Sequence, residues 1–256
     1  MMRKLTDAEM MQRVWDVYQI KNVMGRHAYY HAYGLHEREL DEIWVRKPEN
    51  QATASFGQNW GYQVGMDLIR RNYAEANRLM QKKALQALRA KYPELEDAPE
   101  NYGVGSMLMH ALTTPYIEVA GDGKTAQGVW YSPGQVTVTR PDRVEAVYMY
   151  ERYGVDFIKE DGEWKIWHLF VGTDFVIKPG ALMKEQPVDL PEFNLYQEDE
   201  ETSIELTYAF EAYTSRYNYF RYPAIPKPYE TFDEVISNGP EGNPNFKKFL
   251  EGRLEK

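Results

Sequence analysis

Five histidines are the residues in this chain best able to do chemistry near neutral pH: His27, His31, His36, His110 and His168. An imidazole titrates close to physiological pH, so it can take or give a proton without a large pKa shift. Burial among aromatic side chains favours its neutral form, which is the form able to act as a base. His27 and His31 stand four residues apart, with Tyr30 between them. On a helix that spacing brings both imidazoles and the phenol toward one end of a stripe. His27-x-x-x-His31 is also the spacing of a helical metal pair, with His110 as a third ligand. No Glu stands where a zinc protease needs one, and no metal is expected. The chain has no cysteine, which excludes thiolate chemistry and disulfides. It also lacks a Gly-rich phosphate loop, a nucleophile elbow and kinase signatures.

The elements that must position these groups are legible in outline. Thr6-Asp7-Ala8-Glu9 is a capping-box pattern. The helix it opens runs to about Tyr33, with Ile20, Val23, Met24, His27, Tyr30 and His31 on its inward face and Gly34 at its end. Leu40, Ile43 and Trp44 mark a short second helix, broken at Lys47-Pro48, and Ala52–Phe56 reads as a strand. A long amphipathic helix is expected near Tyr62–Tyr92, capped by Asn59, with Trp60 and Tyr62 placed to close a pocket.

From Val104 to Val176 the chain reads as a meander of four long strands, near Ser106–Val119, Thr125–Val138, Val144–Lys159 and Glu163–Val176. Gly121–Gly123 and Asp161-Gly162 supply the tight turns, because Gly and Asp tolerate positive φ. Strands this long must twist and coil into a concave wall. Trp130 and Tyr131 point to opposite faces, so only one can line a pocket. Tyr153 adds a ring on the third strand. Alternation from Ile166 puts His168 on the same face as Trp164, and Asp174 is a candidate acid at the mouth. Glu118 and Glu151 read as outward-facing.

Bulk properties narrow the classes. Of 256 residues, 30 are Lys or Arg against 39 Asp or Glu, for a formal charge of −9. That disfavours nucleic-acid and anionic-membrane partners. With no apolar run of membrane length and no signal-peptide pattern, a cytoplasmic location is expected. The 20 Tyr suit a pocket for a flat or bulky apolar ligand, although core and interface packing explains most of them. Two regions are expected: residues 1–176 as the domain, and 177–256 as an aromatic-rich extension that wraps the body or a neighbouring subunit. A helix is expected at Asn245–Leu254.

Four segments carry a resemblance. Ile20-Lys-Asn-Val-Met-Gly-Arg-His27-Ala-Tyr-Tyr30 resembles the first helix of the nuclear-transport-factor-2-like superfamily, in its SnoaL-like branch. Met109-His110-Ala-Leu-Thr-Thr-Pro115-Tyr-Ile117-Glu-Val119 resembles its His-bearing strand. Ala126-Gln-Gly-Val-Trp130-Tyr131 resembles the next strand, and Asp161-Gly162-Glu-Trp164-Lys-Ile166 the closing hairpin. The match covers roughly residues 14–176.

The resemblance implies an α+β fold, a cone-shaped curled antiparallel sheet covered by N-terminal helices. The nearest similarity is to bile-acid dehydratase-like and scytalone-dehydratase-like enzymes, and to lignin diarylpropane lyases that release formaldehyde. It implies a cofactor-free lyase that removes water or an aldehyde from a hydrophobic hydroxylated aromatic or polycyclic compound. His110 falls on the strand histidine and His27 near the helix tyrosine, so His27, Tyr30, His31 and His110 are the catalytic candidates. Trp60, Trp130, Tyr131, Tyr153, His168 and Asp174 are the substrate-binding candidates. The acid that usually follows the helix tyrosine is replaced by Ala32 or His31, which implies a histidine base without a carboxylate partner. The other readings are a non-catalytic binding module and the small subunit of an aromatic-ring dioxygenase. The fold also implies a homodimer or homotrimer.

Overall fold

A computed structural model describes residues 5–58, 61–177 and 222–244. Helix α1, Asp7–Ala32, begins on the capping box: Thr6 Oγ1 accepts from the Glu9 N–H at 3.3 Å, and Glu9 Oε2 accepts from the Thr6 N–H at 2.8 Å. It ends where Gly34 takes φ +70°, which costs a glycine little. Helix α2, His36–Ile43, and the single-turn helix α3, Pro48–Thr53, follow. The second helix ends before Lys47-Pro48, as expected, and Pro48 opens the next one, since a first-turn residue needs no N–H.

The hairpin β1 (Ser55–Gln58) and β2 (Gly61–Val64) occupies the stretch where a helix beginning at Tyr62 was expected. Gly61 and Gly65 lie at φ +138° and +90°, so helical geometry starts only at Met66. Helix α4, Met66–Ile69, passes through a π-helical turn, Arg70–Glu75, into α5, Ala76–Arg89.

The remaining strands are β3 (Ser106–His110), β4 (Thr113–Val119), β5 (Thr125–Thr139), β6 (Val144–Glu160) and β7 (Glu163–Ile177). The expected first strand is thus two, both pairing with β5. Pro115 has no N–H to donate, Thr114 sits at φ +51°, and the register shifts between Thr113 and Tyr116. The sheet order is β2-β1-β7-β6-β5-β3, antiparallel except where β1 runs parallel to β7. The fold is the α+β cone, a curled sheet with its concave face under the N-terminal helices. Ile20, Val23 and Met24 of α1, Ile43 and Trp44 beside α2, and Val155, Phe157, Ile166 and Leu169 of the sheet form the core.

Two bulges decide which residues face the concavity. Asp156 pairs with His168 but Phe157 pairs with Ile166, so Trp167 is an extra residue on β7. One inserted residue reverses the alternation beyond it. Ile166 therefore faces inward and His168 outward, against the expectation from strict alternation. Glu151 likewise pairs with Thr173 while Tyr150 pairs with Phe175, leaving Asp174 in the second bulge.

Residues 222–244 lie over the convex face. Tyr222 Oη is 2.9 Å from Tyr62 Oη, and the Gly121 N–H donates to the Tyr229 carbonyl at 2.9 Å. The expected helix at Asn245–Leu254 lies outside the described residues, as does Trp60. No helix among the described residues is long and apolar enough to cross a membrane.

Candidate active site

Four of the five histidines meet under α1 on the concave face. His27 and His31 come from α1, His36 from the first position of α2, and His110 from the end of β3. The His31 ring lies 4.8 Å from His110, 5.1 Å from His36 and 6.2 Å from His27, centroid to centroid. The Tyr153 ring stands edge-on to His27 at 5.7 Å.

Two buried carboxylates organise the cluster. Glu39 of α2, fully buried, accepts from His27 Nδ1 at 2.8 Å, from the Tyr73 hydroxyl at 2.8 Å and from the Trp44 indole at 3.1 Å. Burial alone would raise its pKa, but His27 and the hydrogen bonds outweigh that and hold it below the ordinary value. Glu151 of β6 accepts from His110 Nδ1 at 2.7 Å and from the Thr173 hydroxyl at 2.9 Å. A carboxylate only accepts, so His110 carries its proton on Nδ1 and a lone pair on Nε2. Burial disfavours the charged His110. The charge and hydrogen bond of Glu151 outweigh that and raise its pKa above the usual value.

The neighbouring imidazoles are driven the other way. Burial, then the charges of His110, His36 and His27, lower His31 well below its ordinary value. Burial lowers His36 to about 4 against the opposing pull of Glu39. His36 is also hydrogen-bonded to the Gly34 backbone, and His36 Nε2 lies 3.0 Å from His31 Nδ1. A neutral His36 that gives its one proton to the Gly34 carbonyl accepts at Nε2. His31 then donates from Nδ1 and, like His110, keeps its lone pair on Nε2. The Tyr73 oxygen, whose proton goes to Glu39, is 3.1 Å from the same His31 Nδ1.

Two further groups complete the site. Burial, then the charges of Glu151 and Glu39, push the Tyr153 phenol well above its ordinary pKa, so it keeps its proton. Ser132, opposite Glu151 in the β5–β6 register, is fully buried. It lies near enough to Tyr153 to act on that pKa, yet its hydroxyl completes no hydrogen bond of acceptable geometry. Buried hydroxyls seldom go unpaired.

The depressed His36 carries a stability consequence. The unfolded chain binds a proton at His36 near the ordinary imidazole pKa, whereas the folded chain refuses it down to about 4. This contribution is fully present above the unfolded pKa and is lost as pH falls toward the folded one. The expected loss is on the order of 2–3 kcal/mol over that window. Urea unfolding at pH 7 and pH 4.5 checks it. His36→Gln should flatten the difference, and an equal slope in both proteins would contradict the account.

The structure brings His27, His31, His110 and Tyr153 together, and Trp130 is buried on the same face. It does not bring in the others. Tyr30 lies on the flank of α1, where its hydroxyl donates to Glu42 and its ring carries Arg38 at 5.2 Å. Being i+3 from His27 rather than i+4, it turns toward the surface edge of α2. Tyr131 is on the convex face, 44% exposed. Asp174 is clasped by Arg152 Nε and Nη2 at 2.9–3.2 Å. His168 points outward and donates from Nδ1 to Asp156 at 2.8 Å. Tyr30→Phe should therefore leave turnover within about threefold of the parent, as surface substitutions usually do. A larger loss in a steady-state assay would return Tyr30 to the site.

Glu39, Tyr73, Ser132 and Thr173 join the site without having been singled out in the sequence, and Glu151, expected to face outward, is buried on the concave face against His110. Glu151 had a usable signal: it lies two residues from Tyr153 on one strand and must share its face. The expectation of a histidine base without a carboxylate is corrected accordingly, since the acid comes from β6 rather than from the first helix. Among the described residues no three His, Cys, Asp or Glu side chains are grouped so as to hold a metal ion.

A second concavity lies on the convex side. It encloses about 280 Å³ and is lined by Tyr116, Val129, Tyr131, Arg152, Pro223 and Ile225, with Trp130 and Tyr153 at its floor. It holds none of the histidines.

No curated protein matches the chain. Among solved structures it is similar to a variant of Rv3472, a protein of unknown function from Mycobacterium tuberculosis. Identity is 16% over 76% of this chain and 86% of that one, with a TM-score of 0.45. It is similar to a putative scytalone dehydratase from Novosphingobium aromaticivorans DSM 12444, at 15% identity over 66% of this chain and 91% of that one, TM-score 0.43. It is also similar to the LinA-type3 hexachlorocyclohexane dehydrochlorinase from Novosphingobium barchaimii LL02, at 12% identity over 67% and 95%, TM-score 0.43. At these identities the likeness is one of fold alone. The SnoaL-like domain model matches residues 12–169, well over half of the chain, and this protein belongs to that family.

Proposed function

We propose that this protein is a lyase that acts by proton transfer on a hydrophobic, hydroxylated aromatic or polycyclic small molecule, eliminating water or releasing an aldehyde without a cofactor. The observation that carries the reading is the His110–Glu151 pair. Its Nε2 lone pair is free on the concave face, beside a His31 kept neutral by its surroundings.

In the dehydration form, His110 Nε2 takes a proton from a carbon next to an activating group, and Glu151 stabilises the imidazolium that forms. The electron pair moves to form the new double bond, and the carbon–oxygen bond breaks. Tyr153 gives its proton to the departing hydroxyl, which leaves as water. The proton on His110 then returns to the tyrosinate through solvent, so the site is restored. In the aldehyde-releasing form, His110 takes the proton of a substrate hydroxyl and a carbon–carbon bond breaks. The carbanion left behind is protonated by Tyr153. His31 accepts a hydrogen bond from a substrate hydroxyl in either case. Glu39, with His27, Tyr73 and Trp44 locked to it, fixes the ring positions from behind.

The test is turnover of a panel of β-hydroxy carbonyl and 1,3-diol aromatic compounds by the purified protein with no added cofactor, followed by mass spectrometry for loss of water or an aldehyde. Product formation by the parent, with none above background for a folded His110→Ala variant, supports the reading. Equal turnover by the two proteins overturns it. Tyr153→Phe, which keeps the ring and removes only the donor, should lower kcat by roughly 10- to 100-fold.

A further inference from the structure

Helix α1 is apolar on two sides. One side, with Ile20, Val23, Met24 and His27, is buried in the cone. The opposite side exposes Met11 (69%), Trp15 (52%), Tyr18 (53%) and Tyr29 (64%). Asn22 and Gly25 complete that second stripe, so its positions are 11, 15, 18, 22, 25 and 29. The steps of four and three residues alternate, which is the 3.5-residue seam that matches another helix. A contiguous exposed apolar stripe of this kind marks an interaction surface.

We infer that this stripe is a contact surface for a second copy of the same chain, with two α1 helices packed antiparallel across a two-fold axis. The stripe is complementary to itself. Its N-terminal half is bulky, with Met11, Trp15 and Tyr18. Its C-terminal half is small at Gly25, where an added Cβ meets nothing within 4 Å. The antiparallel arrangement lays Trp15 and Tyr18 of one copy over Gly25 of its partner and brings Met11 onto Tyr29. The same contacts recur on the other side of the axis, as an isologous interface requires. Antiparallel helices also oppose their dipoles. Large aromatic side chains can bury 150–250 Å² each, so the half-exposed stripe would bury on the order of 600 Å² per copy, at the low end for a specific dimer. The site under the other face of α1 would be untouched by this contact.

Two variants test it in the full chain. Gly25→Arg fills the gap at position 25, where the added Cβ meets nothing within 4 Å, and Trp15→Glu puts a charge in the seam. Light scattering after gel filtration should give twice the 30.0 kDa chain mass for the parent and the single-chain mass for each variant. Circular dichroism should be unchanged. A parent that is monomeric at tens of micromolar overturns the inference. A dimer that persists in both folded variants overturns it as well.

Discussion

Glu151→Gln is expected to lower kcat by roughly 10²- to 10³-fold while leaving the fold intact. Glutamine keeps one acceptor oxygen for the His110 Nδ1 proton, and its amide nitrogen replaces the oxygen to which Thr173 donates, where the Thr173 hydroxyl can accept instead, so the ring stays oriented. What disappears is the negative charge that favours the imidazolium. The raised pKa of His110 has Glu151 as its source, so the pKa must fall when the charge is removed. On the proposed mechanism His110 must be neutral to take a proton, so kcat of the parent should rise with pH through a value above the ordinary imidazole pKa. In the variant that limb should move to lower pH while the plateau drops. A plateau loss with no movement of the limb would assign Glu151 to packing rather than to proton transfer.

The largest stability effect is expected on the other side of the sheet. Asp156 is fully buried on the convex face. It accepts from His168 Nδ1 and Gln127 Nε2 at 2.8 Å, from Ser237 Oγ at 2.9 Å, and from both the backbone and side-chain nitrogens of Asn238 at 2.7 Å. Three separate segments thus converge on one carboxylate: β5, β7 and the stretch 237–238 from the C-terminal region. Asp156→Ala would leave five buried donors without their acceptor. Cutting one partner out of a buried charged network costs about 3–5 kcal/mol, which is a large part of a typical domain's stability. Denaturant unfolding should show that loss, together with faster proteolysis near residues 222–244, since Ser237 and Asn238 are held there. A change under about 1 kcal/mol would mean that the segment is held by its aromatic contacts instead.

The same carboxylate holds His168 on the convex face. Serine, histidine and aspartate meet at this point, yet Ser237 Oγ and Asp156 Oδ2 both address His168 Nδ1, at 3.2 and 2.8 Å. A nucleophilic serine needs the opposite ring nitrogen, so this is a clasp and not a triad.

What could be read from the sequence is what is written in local rules. The capping box at Thr6, the glycine after α1, the Asp161-Gly162 turn and the inward stripe of α1 are all local, and each holds in the structure except that Tyr30 leaves the stripe for the flank of the helix. What could not be read depends on single insertions or on distant chain. The extra residue Trp167 leaves no mark in the sequence, yet it turns His168 away from the cavity and onto the convex face. The strand-like run breaks at Ala111-Leu112, and Pro115 lies within β4 at the register shift between Thr113 and Tyr116. The hairpin before Met66 was hidden because Tyr62 and Val64 fit a helical stripe as well as a strand. Glu39 reads as one more charge on a short amphipathic helix until His27, Tyr73 and Trp44, from other elements, close around it.

The central claim is that His110 and Glu151 form a proton-transfer pair whose electrostatics are set by the fold. NMR titration of the histidine side chains in the parent and in Glu151→Gln tests it without any substrate. His110 should titrate above the ordinary imidazole value in the parent and drop in the variant, while His31 stays neutral well below that value in the parent. A His110 that titrates at or below the ordinary value, or one that ignores the loss of Glu151, would contradict it.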